Sequence, residues 1–181
     1  TPEGIWYSFS MGSAAKNAHP YRLMIDRNGN KWVGFNQVGL VAFNENGTPD
    51  DISDDDLRQL VASEGSGNLP TLFPKAYAED IDGEIWIGTD LGLVVLYNTN
   101  NLYDGGYGEY DANPILIEVD GEVEKLLGES DITTIAIDGG NRKWIGTSSS
   151  GVFCLSEDGT TEIYRYTKEN SPLTSNNIFD I

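Results

Sequence analysis

Reactive and metal-ligating side chains are scarce in this chain of 181 residues, which contains one cysteine and one histidine. A lone cysteine cannot form a disulfide within the chain, and Cys154 lies in the apolar run GVFCLS, where we expect a buried, unreactive thiol. His19 has no second histidine and no cysteine partner, so nothing supports a metal centre or a catalytic triad. We therefore expect no metal, no cofactor, no catalytic residues and no enzymatic activity.

Basic residues are also few, because 11 Lys and Arg stand against 29 Asp and Glu, for a formal net charge of −18. Such a chain repels nucleic-acid phosphates and anionic membrane surfaces, so we expect neither as a partner. No apolar run approaches the ~18 residues that a membrane-spanning helix needs, and we expect no direct membrane span. No signal peptide is visible, but the chain begins at Thr1 rather than Met, so earlier removal of a targeting segment is an open alternative.

Glycine is abundant, with 21 residues, which favours many turns between short strands. Its positions belong to a segment that occurs three times, as NKWVGFNQVGLVAF, EIWIGTDLGLVVLY and NRKWIGTSSSGVF. Each copy has a tryptophan, an aspartate six residues before it, a glycine two residues after it and a second glycine that opens the next apolar run. This coincidence of positions indicates a repeated structural unit. The shared residues are Asp26, Asp80 and Asp138; Trp32, Trp86 and Trp144; Gly34, Gly88 and Gly146; and Gly39, Gly92 and Gly151.

Each unit can be divided into four short strands. An apolar strand such as YRLMID leads through a turn into the tryptophan strand, and the apolar run and an alternating outer strand such as TEIYRYT follow. Four antiparallel strands in a unit of ~45 residues are the signature of a β-propeller blade. We therefore predict an all-β, β-propeller fold. The predicted blades cover approximately residues 20–76, 77–130 and 131–168 of a single domain over 1–181, with partial strands at 4–10 and 176–181.

Three blades cannot close a ring, since propellers typically carry about four to eight. The sequence therefore predicts an incomplete arc of a larger propeller. Its two ends would leave strand edges open, and such edges allow edge-mediated self-association of the chain.

Two insertions lengthen the repeated units. In the first, TPDDISDDDLRQLVASEGSGNLPTLFP, we predict a short helix that Ser53 caps and whose first turn carries Asp54 to Asp56. A cation site at DDISDDDL is the alternative. The second insertion, NTNNLYDGGYGEYDANP, is an aromatic, glycine-rich loop, and a predicted hairpin around Asp120 and Gly121 follows it.

Five residues are candidates for ligand binding. Arg142 and Lys143 are adjacent cations in an acidic chain, and from a turn they would bind a sugar phosphate or a carboxylate of a partner. Ion pairing with neighbouring acids is the alternative. Tyr103, Tyr107 and Tyr110 lie among glycines and would form an aromatic surface for protein or sugar contacts, with packing of the insertion onto its blade as the alternative.

The three copies resemble the two-component regulator propeller repeat, whose pattern is roughly Asp-x-x-Gly-x-Ile/Lys-Trp-Ile-Gly-Thr-x-x-Gly-Leu. The last third, from VDGEVEKLL to NNIFDI, is similar to the PorZ-like propeller proteins of the type IX secretion system, which carry a similar Asn-Arg-Lys-Trp turn. That resemblance implies a non-enzymatic interaction module of a cell-surface protein in Bacteroidetes-type bacteria, in the periplasm or at the outer cell surface. The implied partners are proteins of a secretion and attachment complex, or a glycan such as an anionic lipopolysaccharide. The repeat equally implies, as an alternative, the extracytoplasmic sensing region of a hybrid two-component histidine kinase that recognises a polysaccharide.

Overall fold

The computed structural model describes residue 4, residues 6–13 and residues 15–181. Regular structure in this part of the chain consists of β-strands, which form antiparallel sheets, and it includes no helix that could cross a membrane. The strands are β1 (Pro20–Ile25), β2 (Lys31–Phe35), β3 (Gly39–Asn44), β4 (Asp56–Leu60), β5 (Pro74–Glu79), β6 (Ile85–Thr89), β7 (Gly92–Leu96), β8 (Leu116–Val119), β9 (Glu122–Lys125), β10 (Ile132–Ile137), β11 (Lys143–Thr147), β12 (Val152–Leu155) and β13 (Glu162–Tyr166).

Two sheets have the four strands that the repeat predicts. The first sheet has the order β1-β2-β3-β4, and the third sheet has the order β10-β11-β12-β13. Their registers correspond, because Trp32 pairs with Ala42 in the first sheet and Trp144 pairs with Cys154 in the third. The predicted all-β fold, an arc of a β-propeller, is confirmed.

The second sheet differs from this pattern because its fourth strand is interrupted. It consists of β5, β6 and β7. Beyond β7 the chain makes a single bridge, between Val95 and Asn113, and then leaves the sheet. It returns to β7 where the Ser130 carbonyl accepts a backbone hydrogen bond of 2.9 Å from the Gly92 amide. The predicted hairpin therefore lies inside what would have been the outer strand.

The hairpin itself has the predicted turn. β8 and β9 pair as far as Val119 and Glu122, which leaves Asp120 and Gly121 as a two-residue loop. Both loop residues have positive φ, 52° and 85°, as a type I′ hairpin turn requires.

The predicted helix at Ser53 is wrong. Residues 52–54 form a turn and a bend, and Asp56 already begins β4, where it pairs with Asn44 of β3. The Asp51 carboxylate accepts hydrogen bonds from the Ser53 amide, at 2.9 Å, and from its hydroxyl, at 2.6 Å. The acids therefore satisfy donors of their own turns, and pairing with the open edge of β3 overrides the local helix-capping pattern.

The terminal segments do not form the predicted partial strands. Residues 6–10 carry no strand, Ile5 lies outside the described residues, and the Phe9 ring packs on Phe43 with centroids 4.9 Å apart. Residues 176–181 also lack a regular strand. Ile178 is nevertheless buried, and its amide donates a hydrogen bond of 2.9 Å to the Thr147 carbonyl.

Neighbouring sheets pack face to face through the repeat tryptophans. Trp32 of the first sheet joins a buried cluster with Tyr77 of the second, and Trp86 of the second joins one with Ile135 of the third. Trp32 and Trp86 are therefore residues through which one sheet contacts the next, whereas Trp144 stacks on Tyr166 of its own sheet.

The glycine two residues after the tryptophan leaves space for the next sheet. A β-carbon at Gly88 would lie 2.6 Å from Ile132 Cβ, at the start of β10. At Gly146 it would lie 2.8 Å from Ile178 Cγ2. Ile178 thus occupies, beside the third sheet, the place that Ile132 has beside the second.

The first sheet presents an open face that is covered in the other two. Leu23 is 60% exposed, whereas Tyr77 and Ile135, at the equivalent position of β5 and β10, are buried against the preceding sheet. The arc therefore has the face that a preceding blade would cover. Edge-mediated self-association of the chain stays a prediction.

Tyr77 also joins the first two sheets by hydrogen bonds. Its hydroxyl accepts the Gly34 amide at 2.9 Å and donates to the Arg22 carbonyl. We expect Tyr77→Phe to lower the free energy of unfolding by about 2 kcal/mol, since it leaves the buried Gly34 amide unpaired. Urea denaturation measures this loss, and Tyr97→Phe, at a half-exposed position, is the control with no loss expected. Equal stability of the two variants would contradict the prediction.

Candidate binding surface

Each repeat aspartate closes the turn that precedes its tryptophan. Asp80 Oδ1 accepts the amides of Asp82, at 3.0 Å, and Glu84, at 2.9 Å, and its Oδ2 accepts the Trp86 indole N–H at 3.1 Å. The other two repeat aspartates accept their tryptophan N–H in the same way, at 2.9 and 3.0 Å. These carboxylates organise hairpin turns, and their oxygens are engaged within the protein.

Lys143 does not project from its turn, because its side chain is 0% exposed between the second and third sheets. Its Nζ lies 3.1 Å from Asp80 Oδ2 of the preceding sheet and 4.8 Å from the centroid of the Trp86 ring. It also donates a hydrogen bond of 2.9 Å to the Asn141 carbonyl. A ligand at the surface cannot reach this ammonium without separating the two sheets.

The carboxylate of this buried pair is held in its ionised form. Burial works to raise the pKa of Asp80, but the Glu84 amide, the Lys143 ammonium and the Trp86 indole together hold it below the ordinary value of 3.8. The pair therefore carries opposite charges at neutral pH.

The lowered pKa of Asp80 predicts how stability depends on pH. A carboxyl whose pKa is lower in the folded than in the unfolded state stabilises the fold above the unfolded value, here 3.8, and this stabilisation is lost as the pH falls through the folded value. We therefore expect the melting temperature of the protein to fall below about pH 4. The fall should be shallower for Asp80→Asn, and parallel profiles would contradict the prediction.

Arg142, the other cation of the candidate pair, forms the local ion pair that was the alternative. Its Nε lies 2.7 Å from Asp138 Oδ2, four residues earlier in the same turn. Hydrogen bonds to the Asp138 carboxylate, first from the Trp144 indole and then from the Arg142 and Gly140 amides, lower the pKa of Asp138 against the effect of burial. The guanidinium is half-exposed, but it already has a carboxylate partner.

Two of the three candidate tyrosines pack the second insertion onto the first sheet. The Tyr103 hydroxyl donates a hydrogen bond of 3.0 Å to Asn30 Oδ1. Tyr110 is buried, and the Arg58 guanidinium lies 4.3 Å from the centroid of its ring. These two rings therefore pack the insertion onto its blade, which was the alternative to an aromatic surface for ligand contacts.

The same insertion is fixed at its second end by Asp111. Its carboxylate accepts the amides of Gly65, at 2.6 Å, and Gly67, at 2.7 Å. The Ala112 amide donates to the Gly67 carbonyl at 2.9 Å, and Asn68 Nδ2 donates to the Ala112 carbonyl at 3.1 Å. The sequence contains many acids, and nothing distinguishes this aspartate from the others before the fold is known.

Tyr107 is the candidate tyrosine that remains available, because it is 78% exposed. It belongs to the loop over residues 98–114, which the contacts of Tyr103, Tyr110 and Asp111 hold in place. A large amphipathic side chain on a fixed loop loses little conformational entropy when it binds a partner. We call this loop, with Tyr107 at its surface, the tyrosine loop.

A groove of about 830 Å³ adjoins the end of the tyrosine loop. Its walls are residues 68–70, the beginning of β7 and residues 124–129. It lies where the fourth strand of the second sheet is interrupted, and no sequence pattern predicted it.

A metal-binding group is not found in residue 4, residues 6–13 or residues 15–181, since no three His, Cys, Asp or Glu side chains are suitably placed. In the acidic segment proposed as a cation site, Asp54 Oδ2 accepts the Thr48 hydroxyl at 2.6 Å and Asp56 Oδ2 accepts Asn46 Nδ2 at 3.0 Å. These oxygens serve the turn that joins β3 to β4.

The sheets and the aspartate, tryptophan and glycine contacts within and between them define the class of the protein, an arc of a β-propeller built from repeated four-stranded units. The chain is similar to PorZ, an essential bacterial surface component of the type IX secretion system of Porphyromonas gingivalis, at 31% identity and a TM-score of 0.85. The match covers 98% of this chain and 25% of PorZ, so the chain spans about a quarter of the length of that protein.

The chain is also similar to two structures of the extracellular domain of BT4673 from B. thetaiotaomicron, described as a one-component and as a hybrid two-component system. Identities are 16% and 17%, TM-scores are 0.61 and 0.57, and the matches cover 95% and 88% of this chain and 23% and 20% of those chains. At such identities the likeness concerns the fold. A scan of family models and a search of curated proteins gave no match. The resemblance to PorZ-like and two-component propellers that the repeats predicted is confirmed.

Proposed function

We propose that the chain is a non-enzymatic interaction module of a PorZ-like surface protein of the type IX secretion system, and that it acts outside the cytoplasm. The observation that carries this proposal is the match to PorZ over 98% of the chain at 31% identity. The sensing region of a histidine kinase has weaker support, because the likeness to BT4673 is limited to the fold.

The charges of the surface favour a protein over an anionic glycan as the partner. The chain has a net charge of −18, and an anionic polysaccharide would approach a negative surface. Six of its 11 basic residues already pair with acids in the described part of the chain. An exposed tyrosine on a fixed loop is, in contrast, a frequent anchor of protein interfaces. The tyrosine loop is therefore the proposed contact surface.

Site-specific photocrosslinking tests this proposal. A photoreactive benzophenone amino acid replaces Tyr107 of the protein in a bacterium that has a type IX secretion system, and the control carries it at the half-exposed Tyr97. We expect position 107 to give an adduct with a protein of the secretion complex, and position 97 to give none.

Two results would count against the proposal. Identical adducts from both positions would show that the tyrosine loop is not the contact surface. Binding of the purified chain to an anionic polysaccharide, abolished by Tyr107→Ala and without a protein adduct, would show that the partner is a glycan.

A further inference from the structure

The ring of Tyr107 is held on the turn over residues 63–67, although most of it is exposed. A β-carbon added at Gly65 would overlap Tyr107 Cε2, so the ring packs directly on the backbone of this glycine. Gly65 is buried, whereas Tyr107 is 78% exposed. The Gly65 amide donates to the Asp111 carboxylate at 2.6 Å, which ties this turn to the tyrosine loop. One side of the ring is therefore fixed by the protein, and the rest of it faces solvent.

Three acidic residues lie close to this ring along the chain. Glu64 precedes the glycine that carries the ring, and Asp104 and Glu109 lie three and two residues from Tyr107. Glu109 Oε2 accepts the Gly106 amide at 3.0 Å and so serves the loop itself. Glu64 and Asp104 are exposed, and neither forms an ion pair with any described residue. The protein therefore leaves the charges of these two carboxylates without a counterion of its own.

The basic residues of the chain are directed away from this surface. Residues 59–74 and 76–124 contain no lysine or arginine. Arg58, just before them, donates from Nε to the Leu102 carbonyl at 2.8 Å, and Lys75 lies 2.6 Å from Asp131 Oδ1. The face of an aromatic ring is negative, as a carboxylate is, so both attract a cation. The tyrosine loop thus presents a fixed ring and two acids to a positively charged group from outside the chain.

We propose that Tyr107 receives an arginine side chain of the partner protein, whose guanidinium stacks on the ring and pairs with the adjacent carboxylates. A guanidinium is planar, stacks on aromatic rings and binds carboxylates through two hydrogen bonds, whereas the lysine ammonium is a strongly hydrated point charge. The arginine contact rests on the proposed function, because it takes the tyrosine loop as the contact surface. The net charge of −18 attracts a basic partner and repels a second copy of this chain.

Fluorine NMR at position 107 of the 181-residue chain tests this contact. 3-Fluorotyrosine replaces Tyr107 alone, and the probes are three end-blocked pentapeptides, Gly-Ser-Xaa-Ser-Gly, in which Xaa is arginine, lysine or citrulline. Citrulline has the shape of arginine without its charge. We expect a saturable shift with the arginine peptide, at least about threefold weaker binding of the lysine peptide, and no saturation with the citrulline peptide.

Two double variants distinguish the local carboxylates from the general charge of the chain. Glu64→Gln combined with Asp104→Asn should weaken binding of the arginine peptide at least about threefold. Glu118→Gln combined with Asp120→Asn is the matched control, since it removes two charges from the β8–β9 hairpin. Asp120 has a positive φ of 52°, which asparagine also adopts, so the hairpin turn is preserved. This control should leave the affinity unchanged.

Three results would overturn the arginine contact. They are equal binding of the citrulline and arginine peptides, equal affinities of the two double variants, and the absence of any shift with the arginine peptide. A shift with a neutral oligosaccharide such as maltoheptaose in that last case would show that the ring binds a sugar.

Photocrosslinking in the cell separates this outcome from failure of the proposed function. A protein adduct at position 107 that persists undiminished in the Glu64→Gln and Asp104→Asn double variant would support the proposed function and contradict the arginine contact. Charge-dependent binding of the arginine peptide without an adduct to a secretion protein would support the contact and contradict the proposed function.

Discussion

Replacement of Asp80 by asparagine is expected to lower the free energy of unfolding by about 3–5 kcal/mol, the usual cost of leaving a buried charge without its partner. The Lys143 ammonium is fully buried, and the Asp80 carboxylate, 3.1 Å away, is the acidic group that neutralises it. Asparagine preserves the size of the side chain and an oxygen for the Trp86 indole, but its Nδ2 then faces the amides of Asp82 and Glu84. The loss therefore combines the buried charge with the hydrogen bonds of the turn, and a control has to share the second contribution.

Urea denaturation of Asp138→Asn provides the matched control. Asp138 makes the same turn and indole contacts as Asp80, but its cation, Arg142, is half-exposed and can be solvated when the carboxylate is lost. We therefore expect a clearly smaller loss at this position. Equal losses in the two variants would contradict the prediction, since the turn and not the buried charge would then set the cost.

Replacement of Gly88 by alanine is expected to cost about 3 kcal/mol, at the upper end of the usual range for overpacking a core. The new methyl group would lie 2.6 Å from Ile132 Cβ, an atom fixed by its backbone, so the second and third sheets would have to move apart. Each of the three repeat glycines meets the next segment of the chain in this way, and the cost follows from the close approach of two sheets.

Gly139→Ala is the control for this substitution. A β-carbon at Gly139 would meet no atom within 4 Å, and its backbone does not adopt the left-handed conformation. Its stability should stay within about 0.5 kcal/mol of the parent protein. Thermal denaturation compares the two, and similar melting temperatures for Gly88→Ala and Gly139→Ala would show that the sheets tolerate the added atom.

The repeat could be recognised in the sequence because its residues make the same contacts in every copy. Asp80 closes a turn, Trp86 fills the space between two sheets and Gly88 leaves room for the next strand. The β-propeller fold and the turn before each tryptophan strand could therefore be predicted from three short segments.

The position of Lys143 could not be read from its own surroundings, which are polar and lie next to a turn. A signal was present in the second copy, where Ile85 occupies the same place before the tryptophan and is fully buried. Burial of a lysine there depends on Asp80 of the preceding sheet, more than sixty residues away in the chain. Local sequence does not contain that information.

The prediction of a helix at Ser53 was wrong, and the interruption of the fourth strand of the second sheet was not predicted. Both have a related reason. The acidic residues after Ser53 fit a helix start locally, but the open edge of β3 recruits Asp56 and its successors as a strand. In the second sheet, the sequence shows an insertion and a hairpin turn at Asp120, but not that the hairpin replaces the strand beside Leu93. Both outcomes depend on backbone hydrogen bonds between distant segments.

A double-mutant cycle on Asp80 and Lys143 tests most directly whether the repeat residues join neighbouring sheets. The free energies of unfolding of Asp80→Asn, Lys143→Met and the double variant are measured by urea denaturation. The buried ion pair predicts that the double variant is more stable than Asp80→Asn alone, with a coupling of at least about 2 kcal/mol, because methionine removes the charge that asparagine leaves unpaired. Losses that simply add would contradict a direct interaction between these two sheets through the repeat.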